Sequence, residues 1–374
     1  MKENYLIVPT SGRIDHIDSI RGFAALLVVF HHVTETFVRQ LPRVEALGTG
    51  LHDVAFELNF GRMGVVVFFI ISGFVICPSL KGGRMDGARN FFVSRFFRLY
   101  PAFWTIIVLA LLLRYMWPGR PIDIEQVLGN LPMLYSVFQV KPLLGLFWTL
   151  EVELAFYLLC VLLFLCGGLH RPLVLFFVSL GLVIAFRLML AQHELMRSIG
   201  QELGPHWRLM LWHLALMLWG GLFRMWYDNR DRVVSVGSIK IPIIVLVVVL
   251  MMVILIHPVA YTYQWVASGK YQHLRQFIPY FLGIALFVIF ALHIKIKAAV
   301  FVWLGAVSYS LYLVHPVVFH SLLFTIKRYY PQWGGMHLSV YLLVSVALSL
   351  ALSGLVYRIV EKPAIRLGRN FRRS

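Results

Sequence analysis

Apolar stretches of membrane-crossing length alternate with short polar connections from residue 20 to residue 358. A helix needs about 20 mainly apolar residues to cross a bilayer core. Ten segments meet or approach that length, near 20–39, 64–80, 100–117, 147–167, 172–191, 207–226, 241–257, 276–293, 299–323 and 338–358. The pattern predicts an all-α fold, a polytopic bundle of about ten transmembrane helices forming one membrane domain over 1–374. Residues 1–19 are mostly polar, and the first apolar run has no small-x-small exit before Glu35, so that run is expected to be retained as a span. Residues 359–374 form a basic tail. The longest connections are 118–146 and 192–206, and the first, with PGRPIDIEQ, is expected to dip back toward the membrane. No fixed-period repeat and no low-complexity segment interrupts the series.

Composition agrees with this pattern. Hydrophobic residues make up 60% of the chain and charged residues 14%, where a soluble domain carries about 25%. Mean hydropathy is +0.78. The formal net charge of +17 needs no nucleic-acid partner once its distribution is followed. If the N-terminus is cytoplasmic, the loops on its side and the tail collect 20 basic residues; the opposite side holds 13, and Arg21 lies inside the first span. That bias predicts cytoplasmic N- and C-termini in a plasma membrane, with the basic groups against anionic lipid headgroups. The tail RLGRNFRRS is expected to anchor to the leaflet. The three cysteines, Cys77, Cys160 and Cys166, lie in or beside apolar runs without a C-x-x-C pair, which points away from disulfide or zinc frameworks.

The chemistry-bearing positions sit inside the spans. RGFAALLVVFHH places Arg21 and His32 eleven residues apart. At about 100° and 1.5 Å per residue they share one helix face, some 16 Å apart along the axis, while His31 points about 80° away from Arg21. Glu35, three residues on, is placed to hydrogen-bond His32. Taken alone, each residue also fits a structural role: Arg21 as a snorkelling interfacial arginine, His32 as a core histidine bonded to a carbonyl. Ionisable groups inside a span cost about 2.5–3.5 kcal/mol on insertion scales and usually line a site. Two on one face favour function. An arginine at the cytoplasmic end suits a phosphate, and a deeper histidine suits proton transfer. Acyl-coenzyme A is long enough to touch both.

SRFFRLYPAFW carries Arg95 and Arg98 at i, i+3, a spacing that serves bidentate phosphate binding or a positive-inside anchor, with Pro101 at an expected helix start. FWTLEVELAFY holds Glu151 and Glu153, about 200° apart around a helix, so the two cannot face one site. Tyr157 is at i+4 from Glu153, and one carboxylate is available to orient a histidine; Glu151 fits an interfacial acid facing water. SYSLYLVHP carries His315 with Ser308, Tyr309 and Tyr312 nearby, a packed histidine or a substrate group. The glycines of GRMGVVVFFIISGFVI suggest close helix packing. His16, His206, His213, His257, His273 and His293 lack ligand spacing, so no metal site is expected. No P-loop, nucleophile elbow or Rossmann glycine set occurs.

Taken in order, IDSIRGFAALLVVFHH, GVVVFFIISGFVI, SRFFRLYPAFW, FWTLEVELAFY, SYSLYLVHP and YRIVEKP resemble the acyltransferase family 3 membrane proteins over about residues 15–363. The resemblance implies an Arg-x10-His pair at Arg21 and His32 and an Arg-x-x-Arg pair at Arg95 and Arg98. It implies an acidic position at Glu153, with Thr149 replacing the family's serine and Glu151 at a variable position. It implies an O-acyltransferase that uses acyl-CoA, acetyl-CoA first, as co-substrate without a tightly bound cofactor. The acceptor would be a hydroxyl of a cell-surface glycan or lipid-linked sugar, and the location the bacterial inner membrane. His32 and Glu153 are then the expected catalytic pair, Arg21, Arg95 and Arg98 the donor site, and Glu35, Tyr157 and His315 supporting groups. Some members carry an additional extracytoplasmic hydrolase-like domain; this chain ends shortly after its tenth span, so transfer is expected from the membrane domain itself or a separate partner. A transporter or flippase using the same Arg, His and Glu is the competing class; an internal repeat or paired broken helices, absent here, would have favoured it. The oligomeric state is not legible.

Overall fold

The computed structural model of the protein describes residues 14–116, 123–198, 206–269 and 271–372. The calls on Lys2, Arg13 and Arg373, on residues 118–122 of the long connection, and on the side chains of His206 and His273 lie outside the described residues.

All ten apolar segments are helices. Nine of the described helices are long and apolar enough to cross a membrane. They are α1 (Asp15–Gln40), α3 (Phe60–Ile76), α4 (Arg84–Met116), α6 (Phe147–Leu165), α7 (Pro172–Ser198), α8 (His206–Asp228), α9 (Ile243–Ala267), α11 (Ala299–Tyr329) and α12 (Leu338–Val356). The tenth segment is α10 (Ile278–Leu292), whose 15 residues rise only about 22 Å. Three short helices complete the set: α2 (Pro42–Glu57), α5 (Ile124–Asn130) and α13 (Lys362–Phe371). Among the described residues the only strands are β1 (Val233–Val236) and β2 (Ile239–Pro242). They pair antiparallel across Gly237 and Ser238, with Gly237 at φ +61, and join α8 to α9.

Helix α4 departs from the expected boundary. It begins at Arg84, so Pro101 lies inside the helix rather than at its start. Its 33 residues span about 50 Å, more than a bilayer core, and its first half carries Arg95 and Arg98.

The centre of the bundle is α1, packed on α3 and α11. Helices α1 and α11 run in the same sense: residues 18–22 meet 304–305, and His32 meets His315. The crossing requires glycine on both sides. A Cβ at Gly22 would stand 2.8 Å from the Gly305 amide, and one at Gly305 would run into the Asp18 carbonyl. Close approach through small residues is how helices associate where lipid removes the hydrophobic drive. Helices α3 and α8 use the same device at Gly73 and Gly220, each against a backbone carbonyl of the other helix.

The connection between α4 and α6 does turn inward. Tyr100 Oη donates to the Pro132 carbonyl and Trp104 Nε1 to the Leu131 carbonyl, both at 3.1 Å. Both donors precede the end of α4 by three turns or more, so residues 131–136 lie alongside the helix rather than beyond it. Asn130 braces the segment, donating to the carbonyls of Gln126 and Lys141 and accepting from Leu143 N. Glu151 completes the brace and corrects the expectation for that residue: it is only 4% exposed and accepts from Ser136 N at 2.9 Å. A bilayer core has no water to satisfy a loop amide, so the carboxylate does so. Glu151→Ala should therefore cost about 1–3 kcal/mol and speed amide exchange across 131–143, as read by hydrogen–deuterium exchange.

Candidate active site

His32 of α1 and His315 of α11 meet where the two helices pack. Nδ1 of His32 is 2.9 Å from Nε2 of His315, and the rings are coplanar within 3°. His315 is fully buried, and its Nδ1 lies 3.2 Å from the Leu311 carbonyl. A carbonyl can only accept, so Nδ1 of neutral His315 carries the proton and its Nε2 is the lone pair. Nδ1–H of His32 then donates to that lone pair. This leaves Nε2 of His32 basic and, among the described residues, without a hydrogen-bond partner. Pro316 assists locally: it has no N–H for the Tyr312 carbonyl, which lies beside the His315 ring. One turn earlier on α11, Tyr312 Oη is 2.8 Å from Thr149 Oγ1 and pins the start of α6 beside the histidines.

Glu35 is not a partner of His32. It accepts from Arg39 Nη1 at 3.0 Å and stands 3.7 Å from Nε2 of His31. His31 in turn contacts the Ala55 carbonyl at 3.0 Å, so both residues belong to the α1–α2 contact. The reason is angular: His32 is turned to α11, and Glu35 at i+4 sits closer to the direction of His31.

The expected donor residues do come together at the other end of α1. Arg21 has Arg98, Asp18, Glu153 and Tyr157 as ionisable neighbours. The Arg95 guanidinium lies 5.6 Å from the Tyr157 ring centre and 5.2 Å from that of Phe91, and donates to Ser79 Oγ at 3.3 Å. Tyr157 Oη donates to Glu153 Oε1 at 2.5 Å. Glu153 thus sits with the arginines, and the residue that meets His32 is His315. Glu361, part of YRIVEKP but given no role from sequence, belongs here too. It is 1% exposed, accepts from Ser310 Oγ at 2.6 Å, and has Arg98 and Arg21 as charged neighbours. It ends a π-helical turn, Tyr357–Glu361, between α12 and α13. Such turns often mark functional positions, and a lone acid closing an apolar span was the available sequence signal. Arg21, Arg95 and Arg98 gather here with Asp18, Glu153 and Glu361, so each guanidinium is matched by a carboxylate that can hold it in place for an anion.

A family profile described as an acyltransferase domain, the acyltransferase 3 type, matches residues 14–358. The chain belongs to acyltransferase family 3. It is an integral membrane acyltransferase domain by this match and by its long apolar helices. Acyltransferase MdmB of Streptomyces mycarofaciens is 24% identical over 392 residues, covering 96% of this chain and 93% of that protein. O-acetyltransferase OatA of Staphylococcus aureus is 23% identical over 385 residues, 94% of this chain but 57% of that one. Nodulation protein 10 of Rhizobium leguminosarum bv. viciae is 31% identical over 170 residues, 40% of this chain and 44% of that protein. The chain therefore spans only about half the length of some curated relatives. No solved structure matches.

Proposed function

We propose that this acyltransferase 3 domain moves an acyl group from cytoplasmic acyl-coenzyme A, acetyl-CoA first, to a hydroxyl of a cell-surface glycan or lipid-linked sugar. The single observation that carries the reading is the arrangement along α1: an arginine cluster at Arg21 and an oriented imidazole nitrogen at His32, about 16 Å further along the axis. That distance suits a ligand with a phosphorylated end and a reactive tip. Names of relatives support its finer parts. One is called an O-acetyltransferase, and another, from Rhizobium meliloti and 28% identical over 193 residues, an exopolysaccharide production protein.

In this reading Arg21, Arg95 and Arg98 hold the donor's phosphates, and Glu153, Tyr157 and Glu361 position those arginines. The thioester lies near His32. Nε2 of His32 takes the proton of the acceptor hydroxyl as its oxygen attacks the thioester carbonyl. The tetrahedral intermediate expels the coenzyme A thiolate, which takes the proton from His32, leaving ester, thiol and neutral imidazole. His315 holds His32 in the tautomer that keeps Nε2 basic, the role an orienting carboxylate has in a serine-protease triad. Both termini face the cytoplasm, in keeping with the 20 basic residues on that side.

Purified chain in lipid nanodiscs, given labelled acetyl-CoA and a glycan acceptor, should release free thiol in step with label on the acceptor. Label crossing a sealed proteoliposome without thiol release would assign the chain to transport instead.

A further inference from the structure

The basic tail does not lie free on the leaflet. Its helix α13 docks against the first half of α4. Gly368 faces Phe97 so closely that a Cβ there would stand 2.8 Å from the Phe97 side chain, and Phe371 stacks on the same ring at 5.5 Å and 16°. Between the two helices is a cavity of about 160 Å³. Its polar lining is Ser94, Arg95 and Arg98 on one wall and Arg369 and Arg372 on the other.

Four guanidinium groups line this space and no carboxylate does. Like charges gathered around one cavity repel unless an anion occupies it. Nε of Arg95 is buried and, among the described residues, has no hydrogen-bond partner, although the residue's Nη2 is engaged by Ser79. Arg369 on α13 and Arg372, the residue that caps that helix in the αR conformation, are i, i+3 and line the cavity together, as Arg95 and Arg98 do from α4. Two forks from each side are the arrangement that grips a phosphate. The inner wall is shared with the site already described, since Arg95 also packs on Tyr157 and Arg98 neighbours Arg21.

We propose that Arg369 and Arg372 bind phosphate of the nucleotide end of the acyl donor together with Arg95 and Arg98, so that the docked C-terminal helix is half of the donor site. The inference rests on the reading that the donor is an acyl-coenzyme A. A lipid headgroup offers the same phosphate chemistry; the connection of the cavity to Arg21, inside the bundle, favours the donor.

The test is calorimetric titration of coenzyme A into the full chain in phosphatidylcholine nanodiscs, repeated in nanodiscs containing phosphatidylglycerol. The double variant Arg369→Gln/Arg372→Gln should bind coenzyme A at least tenfold more weakly in both, with a raised KM for the acyl donor and kcat at saturation retained. Phe371→Ala, which keeps all four charges but removes the stack on Phe97, should weaken binding in the same direction. Unchanged coenzyme A affinity in the double variant, with wild type binding normally, overturns the inference and leaves the donor reading intact. Affinity unchanged while only the stabilisation by phosphatidylglycerol is lost reassigns the cavity to lipid, which also overturns it. Wild type that neither binds nor turns over coenzyme A thioesters removes the donor reading and this inference with it.

Discussion

His32→Ala is expected to lower acyl transfer by about a thousandfold, the scale of a lost general base, while the protein still purifies folded and melts only a few degrees below wild type. His32 makes one hydrogen bond in the bundle, to His315, so its removal leaves a single buried lone pair unmatched, worth about 1–3 kcal/mol. Turnover of labelled acetyl-CoA with the acceptor present measures the effect directly. The His315 variants separate orientation from bulk. His315→Gln carries a side-chain oxygen able to accept from Nδ1 of His32; His315→Leu has none. The glutamine variant should retain clearly more kcat than the leucine variant, with donor KM similar in both. Equal loss in the two would reduce His315 to packing, and near-normal transfer by His32→Ala would remove His32 from the chemistry.

Gly305→Val should produce the largest loss of stability of any single change along α1 and α11. Any side chain at 305 collides with the Asp18 backbone carbonyl, which cannot rotate away as a flexible side chain can. The helices must separate, at a cost of about 3 kcal/mol or more for an overpacked contact between rigid elements. Separation near residue 305 also opens the contact ten residues further up, where His32 and His315 meet at 2.9 Å. The variant should therefore melt several degrees lower in detergent and lose activity even where it remains folded. Gly181→Ala is the matched control: a Cβ at Gly181 meets nothing within 4 Å, so the change should be neutral or stabilising by about 1 kcal/mol. If both glycine variants behaved alike, the tight crossing would not be what holds the two helices together.

What the chain revealed in advance follows from which forces act locally. The spans were legible because a bilayer imposes one length and one composition on every crossing. The shared face of Arg21 and His32 was legible because a helix fixes angle and rise between residues eleven apart. The partner of His32 was not: His315 lies 283 positions away, and only packing decides which helix meets which. Glu153, expected to orient His32, instead accepts from Tyr157 beside the arginines, and Glu35, spaced to reach His32, is engaged by Arg39 and neighboured by His31. Glu151 looked solvent-facing because the segment that covers it is itself a loop, whose course is set by hydrogen bonds to Tyr100 and Trp104 rather than by periodicity. The tail read as a leaflet anchor because charge alone cannot distinguish lipid from a second row of arginines on α4. The fit of Gly368 and Phe371 to Phe97 adds a docking contact that charge alone does not reveal.

The rod formed by α12, its π turn and α13 has a practical corollary for anyone who handles this protein. It runs from Leu338 to Phe371 and stops with Arg372 in the wall of the arginine cavity. A purification handle or fluorescent reporter fused directly after Ser374 would hang its bulk two residues from that mouth. If the cavity is half of a donor site, assays on such fusions would understate affinity for the acyl donor.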